Sequence, residues 1–308
     1  MTRPPARFWL AALLGLLLHA GVHAETWRFA LIGDTPYSER ERARLPRMLD
    51  SISESGLDFV AHVGDFKSGS ERCDDALFED RYRLFNASAT PFIFVPGDNE
   101  WSDCHRLSNG SYDPLERLDA LRRLFWSRDL SLGARTIKLE RQSPAYPEHA
   151  RFRLGPVLFV TLNIPGSDNN IGMTSRPSAE YKTRNPVVLA WIRDSFALAR
   201  KEHLRGVVLL FQADPNFAHF SQGFGDRGFR DFLKTLRQEV ERFAGQVVAV
   251  HGDSHISRID HPLRSLSGQV LSNFTRVETF GSPITGWTLG EIDSDLPALF
   301  RFQPRPWP

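Results

Sequence analysis

Apolar residues recur along this chain at two spacings, and the change from one to the other marks out its elements. Short apolar runs at 29–32, 59–63, 92–96, 157–162 and 247–251 are bounded by Gly, Asn, Asp or Pro and predict strands. Between them the spacing lengthens to three and four residues. Ser38 with Glu41 makes a capping box for a helix carrying Leu45, Met48, Leu49 and Ile52. Residues 74–86 present Leu77, Phe78, Tyr82 and Phe85, and Asp113-Pro114 with Glu116 opens a helix through Leu118, Leu121 and Phe125. Asn185-Pro186 is expected to start another through Val188, Ile192 and Phe196, and Phe229, Phe232, Leu233, Leu236, Val240 and Phe243 mark the last. These stripes are core faces rather than cofactor boxes.

The strand-helix-strand order of the first half predicts parallel pairing through crossovers. Residues 151–154 and 157–162, joined by Gly155-Pro156, read as a hairpin; after Asp253 only short strands follow, at 258–260, 271–274, 276–280 and 288–292. The sum is an α/β architecture of two mixed sheets packed face to face with helices outside. No repeat or linker divides residues 25–308, so they form one domain. The irregular segments 128–150 and 165–185 are long enough to suggest function.

Composition narrows the class. The 308 residues are 41% hydrophobic and 24% charged, enough for a large buried core. A net charge of +1 gives no electrostatic reason to expect a nucleic-acid partner. Arg3 and Arg7, the apolar stretch 8–18 and the small residue Ala24 have the layout of a signal peptide spanning 1–24. The stretch is too short for a membrane span, which needs about 20 apolar residues. The protein is therefore expected to be exported, periplasmic or secreted, with no membrane attachment after cleavage. In that oxidising setting Cys73 and Cys104, eight and six residues after Asp65 and Asp98, are expected to pair and join two neighbouring loops.

The candidate chemistry lies where strands end. Four apolar runs finish in Gly-Asp, at Asp34, Asp65, Asp98 and Asp253, and Ser254-His255 follows the last. In open α/β sheets the carboxyl edge of the strands is where ligands bind. Carboxylates gathered there repel one another unless a cation lies between them, and hard divalent ions prefer oxygen ligands. One such pair is an ordinary turn signal; four of them point to a metal centre.

These motifs, in this order, resemble the calcineurin-like metallophosphoesterases over roughly residues 27–290. Gly33-Asp34-Thr35-Pro36 matches the family's first motif, Gly64-Asp65 the second, Gly97-Asp98-Asn99-Glu100 the third, Phe211-Gln212-Ala213-Asp214 the fourth and Gly252-Asp253-Ser254-His255 the fifth. The resemblance implies a four-layer α/β/β/α sandwich and two divalent metal ions. It places Asp34 and His255 on one ion, Asp98, Gln212 and Asp253 on the other, and Asp65 between them. It also implies metal-dependent hydrolysis of a phosphomonoester or phosphodiester by a metal-bridging hydroxide. Pro36 replaces a ligand His, Asn99 the catalytic His, and Asp98, Gln212 and Asp253 replace Asn and two His residues. So oxygen-rich a set favours Mn, Mg or Ca, with Fe or Zn as alternatives.

Asn99 can position a phosphate but holds no proton to give a leaving group, so His251, His105 or a metal-bound water are candidates for that task. Asp214 is an alternative to Gln212 as ligand. For a small phosphorylated substrate, Asn169 in the Gly- and Asn-rich loop 163–170 and Arg184 are candidate contacts. Two other readings stand beside hydrolysis. One is a fold that binds metal and phospho-ligand without turnover. The other, a serine esterase built on Gly252-Asp253-Ser254, fails because that family carries the motif near the amino terminus, where this chain has Thr35.

Overall fold

The computed structural model describes Thr2 and residues 25–308, so the remainder of the expected signal peptide lies outside the described residues. The first half runs β1 (Thr26–Ile32), α1 (Glu39–Glu54), β2 (Phe59–His62), α2 (Asp75–Asn86), β3 (Phe92–Phe94), α3 (Pro114–Phe125), β4 (Glu140–Ser143), β5 (Tyr146–Leu154) and β6 (Val157–Thr161). There follow α4 (Gly166–Asn169), α5 (Ala179–Lys201), β7 (Gly206–Leu210), α6 (Phe217–Ser221), α7 (Arg230–Arg242), β8 (Gln246–His251), β9 (Arg258–Asp260), β10 (Phe274–Glu278), β11 (Gly286–Asp293) and β12 (Phe300–Pro306). Among the described residues, no helix is long and apolar enough to cross a membrane.

Two mixed sheets form, in the orders β12-β11-β1-β2-β3 and β4-β5-β6-β7-β8-β10-β9. Parallel pairing joins β1, β2 and β3 in one sheet and β6, β7, β8 and β10 in the other. Strand alternation then builds four layers. In β1, Phe29 and Leu31 point between the sheets, while Ala30 and Ile32 point outward beneath Leu45, Met48 and Ile52 of α1. In β8, Val248 and Val250 point inward, and Val247 and Ala249 pack outward in the layer formed by α5 and α7. Phe59 seals the middle against Phe29 and Phe159, with ring centroids 5.1 and 5.0 Å apart. This is the α/β/β/α sandwich that the motif order implies.

Four elements differ from expectation. Where two strands were expected at 271–274 and 276–280, residues 271–273 lie in a turn and the single strand β10 follows from Phe274 to Glu278. The helix expected from Asn185 begins at Ala179, where the Ser178 hydroxyl accepts the Tyr181 N–H at 3.0 Å. An interior Pro costs about 3 kcal/mol; burial of Tyr181, Arg184 and Asn185 offsets this and holds the turns around Pro186. Segment 128–150 is not wholly irregular, since β4 and the start of β5 lie within it; β4 is Glu-Arg-Gln-Ser, an edge strand without the alternation that would reveal it. The edge strand β12 carries Pro304 and Pro306, which an edge tolerates and a sequence pattern discourages.

Candidate metal centre

Each Gly-Asp pair ends a parallel strand or its extension, and the sheets face one another, so the four aspartates meet at one edge of the sandwich. The glycines make the meeting possible. A Cβ on Gly97 would stand 2.0 Å from Asp65 Oδ1, one on Gly252 2.0 Å from Asp34 Oδ2, and one on Gly64 2.7 Å from Gln212 Cγ. Each of these glycines leaves room for a neighbour's side chain. The strain of the turn falls on the aspartates: Asp34, Asp65 and Asp253 have φ of 49°, 58° and 77°, the left-handed region that non-glycine residues seldom enter.

Oxygens of Asp65, Asp98 and Asp253 all lie within 4.8 Å of one another. Asp34 joins from the far side, both of its oxygens accepting the Asp253 N–H, at 3.0 and 3.1 Å. His255 Nε2 lies 3.7 Å from Asp34 Oδ1. Its Nδ1 is 2.7 Å from the Ser282 carbonyl, which can only accept, so Nδ1 is the donor and, in the neutral ring a metal ligand requires, Nε2 holds the lone pair. Glu100 is a buried bracket: it accepts the N–H groups of Asp65, Phe66 and Gly97 at 3.0, 2.6 and 2.7 Å. The β2 and β3 loops are thereby locked together.

Burial, reinforced by the neighbouring carboxylates, holds the carboxyl groups of Asp34 and Asp65 well above the usual range. The same causes push Asp253 up to about 7 and Asp103 to about 6. Burial also raises Glu100 to about 7, against the Lys67 charge and its three backbone donors. Such a cluster ionises fully only around positive charge. Converging oxygens and one oriented imidazole fit divalent cations: Asp65, Asp98 and Asp253 suit one position, Asp34 and His255 another beside Asp65.

Other sequence-based candidates find different surroundings. Gln212 Oε1 accepts the Gly166 N–H at 2.5 Å and its Nε2 donates to Asp65 Oδ2 at 3.1 Å, so this amide steadies Asp65 and keeps one lone pair of Oε1 beyond the Gly166 bond. Asp214 is paired with Arg258 at 3.0 Å. Asn99 Nδ2 donates to Asp65 Oδ2 at 2.9 Å and to the Tyr37 hydroxyl at 3.2 Å, which places it in the centre as a positioner of these groups.

Three candidates are corrected. His251 follows the outward residues of β8, is fully buried, and stacks near Phe211 and Phe217, its pKa lowered by burial. It cannot serve a leaving group. Arg184, also buried, binds Glu180, the Asn163 carbonyl and Asn169; Asn169 Nδ2 meanwhile donates to the Gly228 carbonyl. Both are struts rather than substrate contacts. Cys73 and Cys104 do form a disulfide, with Cα atoms 5.9 Å apart and sulfurs 3.5 and 3.7 Å from the Asn99 carbonyl oxygen.

The rim contains residues that the motifs do not name. Arg106, half-exposed, pairs with Asp103 at 2.7 Å and lies 3.4 Å from Ser167 Oγ, which is 2.9 Å from Asp98 Oδ2. Ser167 is held there by a left-handed turn, with positive φ at every residue from 167 to 170. The Tyr37 hydroxyl lies 3.1 Å from Asp65 Oδ2. Tyr37 directly follows the first motif and Arg106 lies six residues past the third, and no motif position names either of them.

Comparison with known proteins bears on the family and the fold. The sequence model of the calcineurin-like phosphoesterase family matches residues 28–257. A dimetal phosphatase from Danio rerio superposes with a TM-score of 0.58 at 13% identity, over 91% of this chain and 96% of that one. A purple acid phosphatase from yellow lupin (Lupinus luteus) gives 0.49 at 12% identity, over 87% and 49% of the two chains. A 5'-nucleotidase from Candida albicans gives 0.45 at 13%, over 90% and 51%. No curated protein matches by sequence. At these identities the structural likeness is one of fold.

Proposed function

The chain belongs to the calcineurin-like phosphoesterases, hydrolases of phosphoester bonds, and on that premise we propose that it cleaves a small phosphomonoester or phosphodiester using two divalent cations. The observation that carries this reading is the convergence of Asp65, Asp98 and Asp253 oxygens within 4.8 Å beside Asp34. Cations at such a site supply a nucleophile at neutral pH and neutralise charge on the phosphoryl oxygens. Asp65, which stands between the two positions, would hold both cations. Glu100 and Asn99 hold Asp65 still. Arg106, at the rim over Ser167 and Asp98, is the cation placed to receive a phosphate oxygen. With Asn99 at the third motif and His251 buried, the proton for the leaving oxygen comes from solvent or from His105, which is exposed with its Nδ1 2.7 Å from the Ser102 carbonyl. The oxygen-rich donors favour Mn, Mg or Ca over Zn or Fe. We place the mature chain, from Glu25, outside the cytoplasm; the apolar amino-terminal stretch and the paired cysteines support that.

The test is a metal panel on chelated protein with aryl monoesters and diesters of graded leaving-group acidity, beside Asp65→Asn. Metal-dependent turnover that is lost in the variant supports the reading. Cation binding without turnover on either ester class would leave a fold that binds and does not hydrolyse. Full activity of Asp65→Asn would remove Asp65 from the centre.

A further inference from the structure

One donor on the Asp34 side belongs to no motif. The Tyr37 hydroxyl lies 3.1 Å from Asp65 Oδ2 and 3.5 Å from Asp34 Oδ1. Its ring meets the His255 imidazole edge-on, centroids 5.2 Å apart. His255 Nε2, the nitrogen with the lone pair, is 3.7 Å from the same Asp34 oxygen. Donors about 2.0–2.2 Å from a shared ion stand about 3.0–3.5 Å apart at octahedral or tetrahedral angles. The Tyr37–Asp65, Tyr37–Asp34 and His255–Asp34 distances of 3.1, 3.5 and 3.7 Å are close to this spacing.

The same local network positions Tyr37 and His255. Glu41 Oε2 accepts the Tyr37 N–H at 2.8 Å and Oε1 accepts the Ser282 hydroxyl at 2.6 Å, while the Ser282 carbonyl holds His255 Nδ1. Partners behind a donor that fix its direction are the mark of a built ligand set. The hydroxyl oxygen accepts Asn99 Nδ2 at 3.2 Å and still has a lone pair to offer. Meanwhile Pro36, in the first motif, has no side-chain donor at all.

Resting on the metal-centre reading above, we propose that the Tyr37 hydroxyl is a ligand of the Asp34–His255 cation, the donor that Pro36 cannot supply. A phenol oxygen in place of an imidazole makes this position selective for hard cations. Calorimetric titration of the chelated mature protein with Mn²⁺ tests it, with melting temperature in chelator as the check on folding. Wild type is expected to bind two equivalents. Tyr37→Phe and His255→Ala should each weaken the same equivalent at least tenfold and leave the other within a factor of about two, whereas Asp98→Asn should weaken the other. A tyrosine that only hydrogen-bonds Asp65 would instead disturb both equivalents together, because Asp65 is shared. Unchanged binding in Tyr37→Phe, or loss of an equivalent different from the one lost in His255→Ala, overturns the assignment while leaving the centre intact. No Mn²⁺ binding by wild type overturns the centre and the assignment together.

Discussion

One added methyl at Gly97 should disable the centre while leaving the fold standing. Its carbon would be 2.0 Å from Asp65 Oδ1, 2.7 Å from the Asp65 nitrogen and 2.8 Å from Gln212 Cγ. Relief to 3.0 Å, below which Cβ contacts are essentially never seen, needs Asp65 Oδ1 to retreat by 3.0 − 2.0 = 1.0 Å. Asp65 has little freedom to do so. Its N–H is held by Glu100 at 3.0 Å, and Asn99, Gln212 and Tyr37 all contact Oδ2 within 3.1 Å. Overpacking of this kind costs about 1–3 kcal/mol, which a domain of this size tolerates. A displacement of about 1 Å at a catalytic group costs about 100-fold in rate. Gly97→Ala should therefore lose about two orders of magnitude in kcat/KM on an aryl phosphate and bind Mn²⁺ more weakly, with a modest fall in Tm. Gly268→Ala, whose Cβ meets nothing within 4 Å, is the comparison, although its φ of +83° carries a strain of its own. Gly97 has no positive φ, so a glycine kept only for backbone freedom would accept Ala. Wild-type turnover and Mn²⁺ affinity in Gly97→Ala would refute the packing argument.

Arg106→Ala should raise KM at least tenfold and weaken inhibition by inorganic phosphate, with Mn²⁺ stoichiometry unchanged; steady-state kinetics and calorimetry check this together. Reducing Cys73–Cys104, which closes a loop of sequence separation 31, should cost about 3–4 kcal/mol in a denaturant melt and loosen the Asn99 loop; an identical melt with and without reductant would contradict it. His62 and His149 are buried neutral, and burial lowers each to about 4 against about 6.5 in the unfolded chain. The unfolded state therefore binds more protons between these values. The contribution, up to about 3 kcal/mol each, is complete above pH 6.5 and is lost as pH falls toward 4, which chemical denaturation across that window would measure.

How far the sequence reached depended on whether a residue's role is set by local spacing or by what packs on it. Strand alternation and Gly-Asp at the strand ends were enough to bring Asp34, Asp65, Asp98 and Asp253 to one edge, because parallel strands carry their carboxyl ends to the same side. Arg184 and Arg106 show the limit. Both are arginines near irregular segments, and only the fold tells that Arg184 is enclosed by Asn163, Asn169 and Glu180 while Arg106 stands at the rim. Glu180 lies one helical turn before Arg184 and pairs with it at 2.6 Å, but with the helix expected only from Asn185 that spacing carried no signal. His251 was open to a similar argument. Val248 and Val250 face inward, so His251 faces the outer helices, but β8 is apolar on both faces and does not show which is which. Tyr37 lies just past a motif whose own donor is missing, and no spacing rule directs attention there.

The Gly-Asp pairs were the strongest signal, yet for a reason different from the turn preference that first suggests itself. Gly97 makes way for Asp65 on the adjacent strand, Gly252 for Asp34 in the facing sheet, and Gly64 for Gln212, also in the facing sheet. The glycine of one motif thus serves the side chain of another. It follows that the pairs are coupled: a larger residue at any of these glycines acts on a ligand-bearing loop other than its own. Gly252→Ala should accordingly disturb Asp34 and the His255 position, whereas Gly97→Ala acts through Asp65 on both cations.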